Sequence, residues 1–417
     1  MSERAYRQRL EADLARWQSD GVITSATGNA IRATFQTIPA GVTIATAVAI
    51  VGGLLIAAAF VAFIAANWTE IARPLRFAIL IAGILCANAS GAWFAHSNRP
   101  VLADLAAAVG SIIFGAAIAL TGQIYHLGED FAGGMLLFAA GAMFSAALTG
   151  SRGSLAVALV AGCIWNGMRV HELVEPHMPF IAFWLVGAFL AVAWDSAVAR
   201  HLVAVAAVSW WGSCGFGAVG LFADPTYAFA TGVSLLLGGG ALLASRGPQS
   251  VTALGGRLSD YGAFALALAL AVIISKIFGS SAHGVPVWML GCGLVAIVCA
   301  FSAAVVVGRV GPALAGLSIA IAFAIVSGWD PLGTREPWLA YALALLSMLA
   351  LVLSGMLDDE RPRVIAGGVG LAAMIAAITW TARGSLLRRA AFLAIAGIVA
   401  VALASLLGRV FHKERTA

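Results

Sequence analysis

Charge is what this sequence lacks most. Of its 417 residues only 10% are Asp, Glu, Lys or Arg, against about 25% in an ordinary soluble domain. A chain so poor in charge cannot clothe a water-facing surface, so a soluble globular fold is excluded. Cysteine is scarce as well. Cys86, Cys163, Cys214, Cys292 and Cys299 each sit inside an apolar run, and no two form a Cys-x-x-Cys pair. Neither a disulfide frame nor a thiolate metal site follows from that pattern, and the five read as small buried hydrophobes. A basic patch is missing too. The net charge is +5 and the isoelectric point about 9.2, yet the basic residues stand singly between apolar runs, so no nucleic-acid partner is expected. The first ~35 residues lack the short apolar core of a secretory signal peptide.

What remains is apolar: 61% of the residues are hydrophobic and the mean hydropathy is +0.97. A bilayer is the solvent that suits such a surface. The expected fold class is all-α, a polytopic transmembrane helical bundle. Runs near 41–66, 75–95, 101–122, 131–150, 153–170, 179–198, 201–222, 226–245, 259–278, 285–307, 310–328, 337–356, 363–381 and 388–407 each approach the ~17–25 residues of a span, giving about fourteen spans, or twelve if short connections merge. Breakers separate them, among them Arg73-Pro74, Arg99-Pro100, Gly247-Pro248 and Arg361-Pro362, as befits loops and first helical turns.

Three regions follow: a helical hairpin at 1–38, a first membrane half at 39–200 that carries the polar motifs, and a second at 201–417 that reads mostly as packing. In the hairpin, Tyr6, Leu10, Leu14 and Trp17 share one helical face. Gly21 then offers a left-handed stop, and Thr24 a cap for a second helix. The hairpin's arginines suit anionic headgroups, a partner protein, or a packing cap on the bundle. With the N-terminus inside, fourteen spans place about two thirds of the Lys and Arg on the inner side, which favours cytoplasmic termini in an inner membrane. Arg383, Arg388 and Arg389 fall on the wrong side of that scheme. Small residues such as Gly238-Gly239-Gly240 suit close helix contact in lipid.

Polar groups at membrane depth are costly, so they mark places of interest. Three segments stand out: Asn67-Trp68-Thr69-Glu70, Gln123-Ile124-Tyr125-His126-Leu127-Gly128-Glu129-Asp130, and His171-Glu172-Leu173-Val174-Glu175-Pro176-His177. They follow spans one, three and five, and so emerge on one side, the extracytoplasmic one. Histidines beside carboxylates can bind metal, relay protons or act as acid and base. No metal-ligand spacing such as His-Glu-x-x-His is present, so neither a metal nor a cofactor is expected, and a solvated loop face is the commoner meaning of such segments. Gln123 ends an apolar run, where its amide needs either a substrate or an interhelical partner. Asp104 and Asp195 lie near the cytoplasmic boundary, with Arg200 in reach of Asp195. The second half is almost featureless apart from Lys276, Asp330, Arg335 and Glu336.

Leu14-Ala15-Arg16-Trp17 and Gly21-Val22-Ile23, then Phe63-Ile64-Ala65-Ala66-Asn67-Trp68, then Gly122-Gln123-Ile124-Tyr125-His126-Leu127 form a combination that resembles the bacterial predicted membrane proteins of domain-of-unknown-function family 2157. The resemblance covers about the first 150 residues. It implies a multi-span inner-membrane protein and importance for Asn67, Trp68, Gln123, Tyr125 and His126, with no activity to carry over. Three functions compete. A permease-like protein for a small molecule would bind substrate through Asn67, Trp68, Gln123, Tyr125, His126, Glu129, Asp130, His171, Glu172 and His177. A membrane enzyme acting on a lipid-linked or envelope substrate would use the same histidines and carboxylates as acid and base. A scaffold would bind a protein through the hairpin. Span number is fold-level information and does not choose among them.

Overall fold

The computed structural model describes residues 3–36, scattered positions between 48 and 62, then 71–125, 130–173, 175–217, 225–276, 287–327 and 337–381. Contacts divide the chain into two units, Met1–Leu55 and Ile56–Ala417. In the first, α1 (Glu3–Ser19) and α2 (Ser25–Gln36) form the expected hairpin. Gly21 takes φ +70° at the turn, a backbone form that glycine adopts without strain. The Thr24 hydroxyl accepts from the Thr27 amide at 3.2 Å, capping α2. Leu14 on the apolar face of α1 is fully buried. Arg32 closes the pair, donating from Nε to Glu11 at 3.1 Å.

The second unit is a bundle of helices. Twelve are described: α3 (Arg73–His96), α4 (Pro100–Tyr125), α5 (Phe131–Thr149), α6 (Arg152–Leu173), α7 (Pro179–Ala193), α8 (Ala197–Gly217), α9 (Pro225–Ser245), α10 (Gln249–Lys276), α11 (Val287–Val307), α12 (Gly311–Val326), α13 (Pro337–Leu357) and α14 (Arg361–Thr381). Each answers to one apolar run of the sequence. The runs at 41–66 and 388–407 lie largely or wholly outside the described residues, as do Arg383, Arg388 and Arg389. Among the described residues eight helices, α3 to α6, α9, α10, α13 and α14, are both long and apolar enough to cross a membrane. The shorter apolar helices α7 and α12 rise only about 22–24 Å at 1.5 Å per residue, short of a ~30 Å hydrocarbon core. Proline begins or nearly begins several helices, at Pro74, Pro100, Pro179, Pro312 and Pro362, where a missing N–H goes unused.

Two cores run through this unit. The first joins α5 to α8 and is built on Met143, Leu155, Leu159, Trp165, Phe180 and Val203. The second joins α9 to α14 around Leu237, Leu266, Leu270, Ile274, Ile319 and Leu351. Helix α10 belongs to both: Leu254 and Leu258 enter the first core, and Ala263 through Ile274 the second. Its fit against α9 depends on glycine. A Cβ built on Gly262 would lie 2.5 Å from the Leu237 amide nitrogen, and one on Gly240 the same distance from that of Ser259. No side chain larger than hydrogen fits there, and the two backbones touch as small residues allow in lipid.

Candidate functional site

Helix α6 stays helical through Leu173, so His171 and Glu172 ride on its last turn and not in a loop. One turn earlier sits Arg169. Its Nη1 donates to Glu172 at 2.8 Å, and its Nη2 crosses to Asp130 at 3.0 and 3.2 Å from the two carboxylate oxygens. Asp130 is the N-cap of α5 and accepts the Gly133 amide at 2.8 Å. An anion at a helix N-terminus is favoured by the backbone dipoles, and Arg169 reinforces it from outside. The groups are solvated, so these pairs fix geometry more than they add stability. Their effect is to tie the end of the 123–130 segment to the 171–177 segment at one end of the bundle. Arg169 escaped the sequence analysis, although an arginine three residues before Glu172 near a span terminus is a readable i,i+3 pair.

Below this ladder His177 is buried in the α6–α7 connection, with 8% of its surface exposed. Trp165 meets it edge-on at 4.6 Å and 88°, and Phe183 backs Trp165 in turn. The Trp210 indole donates to the His177 carbonyl at 3.2 Å, which anchors the connection to α8. Burial first, and the positive charge of Arg169 second, hold the His177 imidazole below its ordinary pKa of 6.5. It is therefore neutral near pH 7, able both to donate and to accept. Its Nδ1 has no hydrogen-bond partner among the described residues. Neither do Trp165 Nε1 nor either amide atom of Asn166, a side chain with 0% exposure. Asn166 was not singled out from the sequence; an amide in mid-span was the available signal.

The structure thus brings Asp130 and Glu172 together on Arg169, with His177 beneath. His171 and Glu175 are exposed. Gln123 and Tyr125 lie on the last turn of α4, and nothing is described of their side chains. Asn67, Trp68, Glu70, His126 and Glu129 fall outside the described residues. Among the described residues no three His, Cys, Asp or Glu converge as a metal site.

At the other end, Asp104 of α4 fastens the start of α6. It accepts from the Ser151 hydroxyl at 2.5 Å and from the Gly153 amide at 2.9 Å, a cap supplied by a neighbouring helix. Asp195 pairs with Arg200 at 2.6 Å. The reading of the second half as featureless is corrected here. Arg363 and Asp358, with 6% and 8% of their side chains exposed, form an ion pair at 3.0 Å, and Arg257 holds the buried Asp260 at 3.1 Å. The expected runs at 259–278 and 363–381 take in Asp260 and Arg363 but not Arg257 or Asp358, so neither pair was visible as a pair. As for Lys276, Asp330, Arg335 and Glu336, the last three lie outside the described residues, and Lys276 ends α10.

Long apolar helices, paired by backbone contact and carrying polar groups at their ends, define a multi-helix membrane protein. Residues 15–155 match the family model described as predicted membrane protein, DUF2157, so the resemblance carried by the N-terminal 150 residues holds. The match spans the hairpin from its middle through the capped start of α6. Arg169 and His177 lie beyond it. No curated protein matches the chain, and no solved structure does.

Proposed function

We propose that the protein is a permease-like carrier that admits a small polar solute at the Arg169 end of α6 to α8. In this reading that end is extracytoplasmic and both termini face the cytoplasm of a bacterial inner-membrane protein. The observation that carries it is Asn166: fully buried, with donor and acceptor both unpartnered among the described residues. A buried polar group left so costs about 1–3 kcal/mol, and Trp165 Nε1 and His177 Nδ1 add to it. A solute presenting both a donor and an acceptor, such as an amide or a hydroxyl compound, would satisfy these groups together. The neutral His177 suits an uncharged solute, and Arg169 at the rim favours a neutral or anionic one.

The enzyme alternative has less support. Asp130 and Glu172 are engaged by Arg169 and not by His177, so among the described residues these groups form no acid–base pair.

Thiol accessibility tests the proposal. Asn166→Cys is placed in a background whose five native cysteines are replaced by serine or alanine. A membrane-impermeant methanethiosulfonate is then applied to intact cells and, separately, to inside-out vesicles. Modification from both sides is expected of a permease. Modification from outside only would leave a binding site but overturn the passage. Protection from both sides would mean a dry bundle and remove the proposal.

A further inference from the structure

The buried charges of the second half form a site of their own. Arg363 donates through Nη1 to Asp358 Oδ2, and Asp358 lies over Gly311 at the start of α12, where a Cβ would collide with its carboxylate. Helix α10 brings Asp260 to the same level. Asp260 feels Arg257 on its own helix, Glu360 from the α13–α14 connection and Arg363 from α14. On the remaining sides α9 presents Gly240 beside Ser259, α13 contributes Ser354 and the connection after it Asp358, and α8 offers His201, which meets Tyr261 at 3.2 Å. Asp195 at the end of α7 is taken by Arg200.

Two features of this cluster point to a bound species. The first is charge: Asp260 and Asp358 are buried with Arg363, one negative charge in excess where burial makes charge costly, while Arg257 and Glu360 are more exposed. The second is unmade hydrogen bonds. Arg363 Nε, Asp358 Oδ1, and the wholly buried hydroxyls of Ser259 and Ser354 have no partners among the described residues. The two carboxylates are not equivalent. Asp358 is held by a guanidinium as buried as itself. Asp260 has 9% of its side chain exposed, and among the described residues its hydrogen-bond donor is Arg257, whose side chain is 40% exposed and reaches water.

We propose that Asp260 is a proton-binding site. A proton taken from water forms an O–H bond on the Asp260 carboxyl as the Arg257 N–H···O bond breaks and the guanidinium turns to solvent. Arg363 and Asp358 remain paired, and the excess negative charge is removed. The site is distinct from the Arg169 end and goes beyond the permease reading, to which it would supply a proton as coupling ion.

Infrared difference spectroscopy of the full-length protein in lipid nanodiscs, titrated with acid, reads this directly. A protonated-carboxyl C=O band should appear in one step, vanish in Asp260→Asn, move in frequency in Asp260→Glu, and persist in Asp130→Asn. Loss of the neighbouring positive charge in Arg257→Gln should raise its midpoint by about 1–3 pH units. A band unchanged in Asp260→Asn, or a midpoint unmoved in Arg257→Gln, would overturn the assignment. Should Asp260→Asn fail to fold, the Glu and Arg257 variants decide. Thiol accessibility at position 166 does not enter this readout, so either proposal can fall alone.

Discussion

Between α5 and α8 an alanine- and leucine-rich interior carries a cluster of rings, Trp165, Phe180 and Phe183; between α9 and α14 alanine, leucine and isoleucine pack over touching backbones, with Tyr341 buried among them. Large flat side chains meet along edges and leave polar corners such as Asn166 without partners. Among the described residues the orphaned atoms of the glycine-backed helices belong to Asp358, Arg363, Ser259 and Ser354. Unpartnered neutral groups thus belong to the first core, and unpartnered groups beside charges to the second.

The largest test of this contrast is Arg363→Met, which strands Asp358. It should cost about 3–5 kcal/mol in a detergent unfolding assay, with partial recovery when Asp358→Leu is added. No recovery would mean that the pair is not the unit of stability. Gly262→Leu should cost about 1–3 kcal/mol by forcing α9 and α10 apart, whereas Gly239→Ala, with open space around it, should be neutral or stabilising by up to about 1 kcal/mol. Equal effects of the two would refute close packing.

In the ring-bearing core the sign reverses. Asn166→Leu should raise stability by about 1–3 kcal/mol, because an unpartnered amide is removed; a destabilised variant would show the amide bonded at rest and erase the contrast. Asp104→Ala should lower stability by about 1–2 kcal/mol through loss of the α6 cap, and Asp104→Asn by less. Smallest is a pH effect at His177. Its folded pKa lies below 6.5, so on acidification the unfolded chain takes up the proton first. Stability is full above about pH 6.5 and declines below it until the folded pKa is reached. His177→Gln should flatten that decline in a thermal-unfolding series between neutral and mildly acid pH.

Much of the architecture was legible because bilayer physics writes it in long runs. Apolar stretches and helix-initiating prolines located α3 to α14 within about five residues, save that α10 begins at Gln249 and not near 259, and Thr24, Gly21 and the Asp195–Arg200 pair were readable from local rules. Run length said less about which helices are long enough to span, since α7 and α12 are short within acceptable apolar runs. The site was less legible for a different reason. That Asp130 and His171–His177 share an end follows from alternation of spans, but a chain of letters does not show which residue bridges them, and Arg169 does. Asn166 and Asp260 were passed over since their importance comes from what fails to pair with them, a property of three-dimensional packing.

Helix α10, with one end in each core, has a mechanical consequence. At 1.5 Å per residue its 28 residues make a rod about 42 Å long. Pivoted on its glycine contact with α9 near Gly262, a tilt of about 5° would carry its tips roughly 2 Å in opposite directions. Arg257 and Asp260 lie within about 8 Å of that pivot and would shift by less than about 1 Å, while Ile273 and Ile274, nearer the far tip, would move by about 1.5 Å through the second core. A single proton on Asp260 would then act with leverage, its small local rearrangement arriving at the far side of the membrane as motion.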